Sequence, residues 1–106
     1  MSLGGIMKDL HNSIAIVQEI VSKRWVSEIL FSINHKHYRY SEILHCIPYL
    51  SSTELRRKLK LLLEFGLLHK DDKEYHLTIL GQDMMEIMIK ASKLSERLEN
   101  AKRRQH

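Results

Sequence analysis

One stretch decides the fold of this chain: residues 48–78, which read PYLSSTELRRKLKLLLEFGLLHKDDKEYHLT. Leucines recur in its first half at the spacing that places side chains on one side of an α-helix. These leucines are Leu55, Leu59, Leu62 and Leu63. The pattern predicts a helix over residues 51–65 that buries its leucine side and turns its charged side toward water.

Local signals mark both ends of this helix. Ser51 followed by Glu54 is a capping box. In this motif the serine hydroxyl accepts a hydrogen bond from a backbone amide of the first turn, and the glutamate carboxylate accepts one from the backbone amide of the serine. Gly66 follows the last periodic residues and can adopt the left-handed conformation that ends a helix. Residues 67–77 then fit two short strands joined by a charged turn, so we expect a hairpin after the helix.

The side of the helix opposite the leucines is rich in cations. Projection at about 100° per residue places Thr53, Arg57 and Lys60 on that side, with Arg56 and Lys58 on its flanks. Such a helix fits the major groove of DNA, where its outer side chains meet bases and phosphates. The alternative is a solvated face whose charges pair within the helix, such as Lys60 with a glutamate one turn later.

Length and charge limit the class of protein. A chain of 106 residues with 43% hydrophobic content predicts one domain, residues 1–106, and its net charge of +4 is compatible with a polyanionic partner. No apolar run is long enough to cross a bilayer and no secretory signal is evident, so we expect no membrane partner and a cytoplasmic location. Residues 1–6 show little periodicity and are expected to be disordered or part of an artificial leader.

Between residue 24 and the basic helix the sequence predicts two helices. Trp25, Ile29 and Ile33 indicate a buried helix that ends near residue 34. Ser41 is a plausible cap for a brief helix, Glu42 to Cys46, which Pro48 closes. This brief helix, a short turn and the basic helix together constitute a helix-turn-helix.

Apolar residues with alternating spacings of three and four occur near both ends of the chain, within predicted helices over residues 7–22 and 79–100. A small core in the middle of the chain cannot obviously cover both, so we expect the helices of two subunits to bury one another in a homodimer. The alternative is packing within one subunit. The predicted interface residues are Leu10, Ile14, Val17, Val21, Met84, Ile87, Ala91, Leu94 and Leu98.

Several fragments of the chain, in order, resemble the HxlR-type transcriptional regulators, which are related to the MarR-like regulators. The matching pieces are Arg24-Trp25, Ile29-Leu30, Arg39-Tyr40-Ser41-Glu42-Ile43, Leu50-Ser51-Ser52, Leu55 to Leu59, Phe65-Gly66-Leu67-Leu68, Tyr75-His76-Leu77-Thr78 and Gly81. The resemblance covers residues 24–81 and implies a mainly helical, dimeric winged helix-turn-helix regulator of transcription. Asn12 stands where members often bear a sensing cysteine, so the resemblance does not imply that chemistry here.

The expected partner is therefore double-stranded DNA, read by helix 51–65 in the major groove with the wing, residues 67–77, at the backbone or minor groove. Arg57 is the first choice for base readout, because its planar fork can bridge two acceptors on guanine, whereas Lys60 suits a phosphate. The predicted DNA-binding residues are Arg39, Ser41, Ser51, Ser52, Thr53, Arg56, Arg57, Lys60, Lys70 and Lys73.

Other functions find less support in the sequence. His35, His37 and His45 lie near Cys46, but their spacing matches no metal-binding pattern, and Cys46 is expected to be a small core residue. No phosphate-binding loop, nucleophile elbow or paired-carboxylate site can be assembled from the sequence. We therefore expect that the protein is not an enzyme and binds no cofactor. The remaining competitor is a winged-helix module that binds protein through its apolar surfaces and not DNA.

Overall fold

Five helices and one two-stranded hairpin make up the computed structural model, which describes residues 3–105. In chain order the elements are α1 (Leu3–Val21), α2 (Val26–Asn34), α3 (Tyr40–Cys46), α4 (Ser52–Glu64), β1 (Leu68–Asp71), β2 (Glu74–Leu77) and α5 (Ile79–Arg104). Helices α3 and α4 form the helix-turn-helix, and the hairpin that follows is its wing. The predicted fold class, mainly helical with a small hairpin, is confirmed.

Helix α4 begins and ends close to the predicted residues. Ser51 is its N-cap, and the Ser51 Oγ accepts a hydrogen bond from the amide of Glu54 at 3.1 Å. Gly66 follows the helix at φ 74°, a conformation that a residue without Cβ adopts freely. The second half of the predicted capping box is wrong, because the Glu54 carboxylate lies instead within ion-pair distance of Arg57 and Lys58.

The hairpin is tight and antiparallel. Leu68 at the start of β1 lies opposite Leu77 at the end of β2, and Leu68 is buried against the core. Asp72 and Lys73 alone form the turn between the strands, and Asp72 adopts the positive φ, 56°, that two-residue hairpin turns require. The predicted wing is therefore present within residues 67–77.

The core lies where α2, α3 and α4 meet the start of the hairpin and the first turns of α5. Its most completely buried side chains are Val26, Ile29, Leu30, Ile33, Ile43, Leu55, Leu59 and Leu62. Leu63, predicted on the buried side of α4, is only half-buried and packs at the edge of this core. The buried stripe of α4 is thus narrower than its leucine pattern indicates.

Thr78 joins the wing to α5. Its Oγ1 accepts from the amide of Gly81 at 3.1 Å, which confirms the predicted cap, and its hydroxyl donates to the carbonyl oxygen of Gly66 at 2.5 Å. Gly81 packs so closely on the hairpin that a Cβ built there would overlap the carbonyl oxygen of Leu67. The first turn of α5 is therefore in close contact with the residue that precedes β1.

The helix boundaries differ from the prediction near the N-terminus and at α3. Helix α1 begins at Leu3, so residues 3–6, expected to be disordered or part of a leader, lie within a helix, while Met1 and Ser2 lie outside the described residues. Helix α3 begins at Tyr40 and not at residue 42, because the Glu42 carboxylate accepts from the amide of Arg39 at 3.1 Å. Ser41 therefore lies inside the helix and is not its cap.

Cys46 is exposed, so the expectation that it is a core residue is wrong. Its Sγ lies 2.8 Å from the Oγ of Ser32 and 3.4 Å from the carbonyl oxygen of Ile43. Cys46 ends α3, where the chain leaves the core, and the apolar neighbour Ile47 takes the buried position instead.

The apolar seams of α1 and α5 are largely uncovered within one chain. Leu10, Ile14, Ile87, Ala91, Leu94 and Leu98 are exposed, and Val17 and Val21 are half-buried against the core. Met84, predicted at the dimer interface, is buried in the core of its own chain, which leaves little of its side chain exposed to a partner. The Cα radius of gyration is 16.4 Å, against about 13 Å for a compact domain of this length, because both terminal helices extend beyond the core.

Candidate DNA-binding surface

Helix α4 has one buried side and one exposed side. Leu55, Leu59 and Leu62 point into the core, which fixes the rotation of the helix about its axis. As a result, every side chain of α4 that was predicted to face DNA is exposed to solvent. We call the exposed set Ser52, Thr53, Arg56, Arg57 and Lys60 the basic face of α4.

The ion pairs on α4 leave most of this charge available. The Arg57 Nη1 lies 3.7 Å from the Glu54 carboxylate, but the Arg57 side chain is 72% exposed, and an exposed pair of this kind contributes only about 0–1 kcal/mol. Lys58 also pairs with Glu54, at 3.8 Å, and its side chain is only 20% exposed. Among residues 3–105, Arg56 and Lys60 have no acidic partner within ion-pair distance, so the alternative pairing of Lys60 along the helix is not formed.

A side-chain hydrogen bond links the two helices of the helix-turn-helix at the end that carries the basic face. The hydroxyl of Tyr40, in the first turn of α3, donates to the carbonyl oxygen of Ser52, in the first turn of α4, at 3.0 Å. Because Ser52 belongs to the basic face, this bond holds the start of that face against α3. Sequence reasoning missed Tyr40, since a half-buried tyrosine needs a partner for its hydroxyl but the sequence does not show which one.

Arg39 connects the start of α3 to the wing. The amide of Tyr75 donates to the carbonyl oxygen of Tyr38 at 2.7 Å, and Arg39 forms an isolated β-bridge with Glu74. The Arg39 Nε lies 3.9 Å from the Glu74 carboxylate, whose other oxygen is 3.0 Å from the Nε2 of His76. Arg39 is thus a predicted DNA-binding residue that also contacts the wing, and Glu74 is a contact that sequence reasoning missed.

The wing carries little net charge. Lys73 lies in the exposed turn, and the Nζ of Lys70 lies 5.3 Å from the centre of the Tyr75 ring. These two lysines are accompanied by three acidic residues in the same hairpin, Asp71, Asp72 and Glu74. The wing is therefore not a basic surface, and the concentration of positive charge lies on α4.

Three histidines, His35, His37 and His45, lie near Cys46 in the sequence and were predicted to be packing or solvent-exposed residues. His35 is placed by its own helix, with its Nδ1 2.9 Å from the carbonyl oxygen of Phe31 and its ring against the Phe31 ring. In the part of the chain from residue 3 to residue 105, no three His, Cys, Asp or Glu side chains are grouped to hold a metal ion. Nor is any helix in this part long and apolar enough to cross a membrane.

A helix pair with an exposed basic second helix, followed by a hairpin, defines the winged helix-turn-helix class of proteins. The chain belongs to the HxlR-like helix-turn-helix family, whose sequence model matches residues 20–103. The family resemblance noted in the sequence is therefore confirmed. Membership makes the protein a regulator of transcription and not an enzyme, as predicted, and implies that it binds DNA.

One curated protein is similar to this chain in sequence, and two solved structures are similar to it in fold. The chain is 35% identical over 82 residues to the uncharacterized HTH-type transcriptional regulator YvaP of Bacillus subtilis, which covers 71% of this chain and 76% of that protein. The fold of the present chain is similar to that of a possible HxlR family transcriptional factor from Thermoplasma volcanium, with a TM-score of 0.61 and 22% identity. The match covers 79% of this chain and 82% of that one. The activation domain of the phage T4 transcription factor MotA shares the fold at a TM-score of 0.58 and 14% identity, over 77% of this chain and 93% of that one.

Proposed function

We propose that this protein is a sequence-specific regulator that binds double-stranded DNA as a homodimer. Helix α4 would enter the major groove, and the wing would lie at the phosphate backbone or the minor groove. The observation that carries the proposal is the exposure of the whole basic face on the second helix of the helix-turn-helix. Cations on that helix meet DNA only if they are free of the protein core, and here they are.

The basic face divides into two kinds of contact. Arg57 lies on the outer side of α4 with only a weak exposed ion pair to release, so it can offer its planar fork to the two acceptors of a guanine. Lys60 has no acidic partner within residues 3–105 and would meet a phosphate as a point charge. Of the wing residues, Lys73 in the exposed turn can approach the DNA backbone. The acidic residues beside it reduce the positive electrostatic potential of the wing.

The homodimer is proposed from the uncovered apolar seams. Leu94 on the predicted seam of α5 is 54% exposed, and Leu10 on the predicted seam of α1 is 59% exposed. A groove of about 870 Å³ runs beside the same helix, lined by apolar side chains that include Phe31, Met88 and Ile89. Exposed apolar side chains that follow one seam of a helix are typical of an interface. A two-fold dimer would read two half-sites arranged as an inverted repeat.

Titration of duplexes selected from a random pool, followed by fluorescence anisotropy over a salt series, tests the proposal. We expect the logarithm of the association constant to fall linearly with the logarithm of the salt concentration, because bound lysines and arginines release counterions. Lys60→Ala should reduce the slope by about one. Lys90→Ala, which removes an exposed cation from α5, is the matched control and should leave the slope unchanged.

The absence of salt-sensitive binding to any duplex would contradict the proposal. If protein partners were then captured that remain bound at high salt, the competing function, a winged-helix module that binds protein, would be supported instead.

A further inference from the structure

The turn that connects α3 to α4 has an unusual residue at its tip. The amide of Leu50 donates to the carbonyl oxygen of Ile47 at 3.4 Å, so Pro48 and Tyr49 are the two central residues of a β-turn. Tyr49 has a φ of 68°. Proline followed by a residue of positive φ is the pattern of a type II turn, and its second central position favours glycine or asparagine, because a Cβ is crowded there.

The side chain of Tyr49 contributes nothing to the packing of this turn. Tyr49 is 97% exposed, whereas Ile47 and Leu50 on either side of the central pair are buried and anchor the turn to the core. Within residues 3–105, the Tyr49 side chain has no hydrogen bond and no ring contact. The turn therefore accounts for the backbone conformation of this position, but nothing in the fold accounts for an aromatic ring there. Strained, exposed positions of this kind are concentrated at functional sites.

The surroundings of Tyr49 indicate what the ring can meet. Tyr49 lies two residues before the N-cap Ser51, at the end of α4 that begins the basic face. When a recognition helix enters the major groove with its N-terminal residues on the bases, the preceding helix crosses the phosphate backbone, and the turn between them lies beside it. No acidic residue occurs between Ile47 and Thr53 to repel a phosphate.

We propose that Tyr49 is a DNA-backbone contact, with its ring against a deoxyribose and its hydroxyl donating a hydrogen bond to a phosphate oxygen. This inference rests on the DNA binding proposed above. A phosphate contact carries no sequence information, and a neutral phenol releases no counterion. Tyr49 should therefore raise the affinity for every duplex by the same factor without changing the salt dependence.

Two variants of the full chain, measured by anisotropy on a duplex selected from the random pool and on an unrelated duplex, test the inference. Tyr49→Phe keeps the ring and the turn but removes the hydroxyl, and we expect a loss of about tenfold in affinity on both duplexes with an unchanged salt slope. Tyr49→Gly should lose at least as much affinity while its urea midpoint stays equal to or above that of the wild type, since glycine suits the positive φ.

Tyr38→Phe is the matched control for loss of a phenol hydroxyl. Tyr38 packs against the ring of His76 in a pocket between α2 and α5, and its variant should bind both duplexes as the wild type does. Wild-type affinity of Tyr49→Phe, or a loss restricted to one duplex, would overturn the inference about Tyr49 while leaving the regulator intact. Failure of the wild type to bind either duplex would instead overturn the proposed function.

Discussion

The hydroxyl of Tyr40 donates to the carbonyl oxygen of Ser52 across 3.0 Å, and this single bond ties the first turn of α3 to the first turn of α4. Each helix also contributes a fully buried side chain to the core, Ile43 from α3 and Leu55 from α4. The hydrogen bond restrains the end of α4 that carries Ser52 and Thr53, the residues nearest to the proposed DNA contact.

Tyr40→Phe should therefore weaken DNA binding without altering the fold. Loss of the hydrogen bond should lower the free energy of unfolding by about 0.5–1.5 kcal/mol, measured by urea titration. The affinity for a selected duplex should also fall, with an unchanged salt slope because no charge is lost. A variant with wild-type stability and affinity would show that Tyr40 does not position α4.

Arg57→Ala should relax base preference, whereas Lys73→Ala should weaken binding to all sequences alike. Removal of a bidentate guanine contact is expected to lose about 1–3 kcal/mol at one base position, and removal of a phosphate contact should reduce the salt slope by about one. Selection from a random pool with each variant, followed by anisotropy, measures both effects. The assignment of Arg57 fails if its variant selects the same consensus as the wild type with undiminished preference.

Leu94→Glu should dissociate the proposed dimer. An exposed leucine that becomes buried between subunits contributes about 1.5–3 kcal/mol, so its loss together with a buried charge should raise the dissociation constant by at least tenfold in sedimentation equilibrium. Leu80→Glu, which changes another exposed leucine near the start of α5 and outside the predicted seam, is the control and should leave the dissociation constant unchanged. A monomeric wild type would rule out the homodimer.

Gly81→Ala should destabilise the protein, because the added Cβ would overlap the carbonyl oxygen of Leu67 and the backbone must shift to admit it. Overpacking of this kind lowers the free energy of unfolding by about 1–3 kcal/mol. Gly4→Ala provides the opposite control, since no atom lies within 4 Å of the position its Cβ would take, and alanine in a helix gains about 0.5–1 kcal/mol over glycine. Equal urea midpoints for the two variants would contradict the close approach at Gly81.

Ser51→Ala should remove the cap of α4. The lost hydrogen bond to the amide of Glu54 is expected to lower the free energy of unfolding by about 1 kcal/mol in a thermal or urea titration. Ser52→Ala, one residue later on the exposed side of the helix, should change stability by no more than about 0.5 kcal/mol. A reversed order of the two effects would place the N-cap at Ser52.

Features of this fold that depend on neighbouring residues were predictable from the sequence. The cap at Ser51, the left-handed residue Gly66 and the cap at Thr78 each act on an amide or carbonyl group within a few positions along the chain. The alternation of leucines along α4 likewise identified its buried side. Prediction failed where a distinct local interaction competed, as at α3, where Glu42 caps the amide of Arg39 and starts the helix before Ser41.

The sequence by itself determined the order of the elements, the bounds of α4 and the residues of its basic face, because helical periodicity and caps are short-range properties. Only the tertiary structure decided that Tyr40 bonds to Ser52, that Arg39 meets Glu74 and that Cys46 is exposed while Met84 is buried. Each of these depends on how separate elements pack against one another. Side chains distant along the chain are brought together by the packing of the core, and no local pattern encodes which ones will meet.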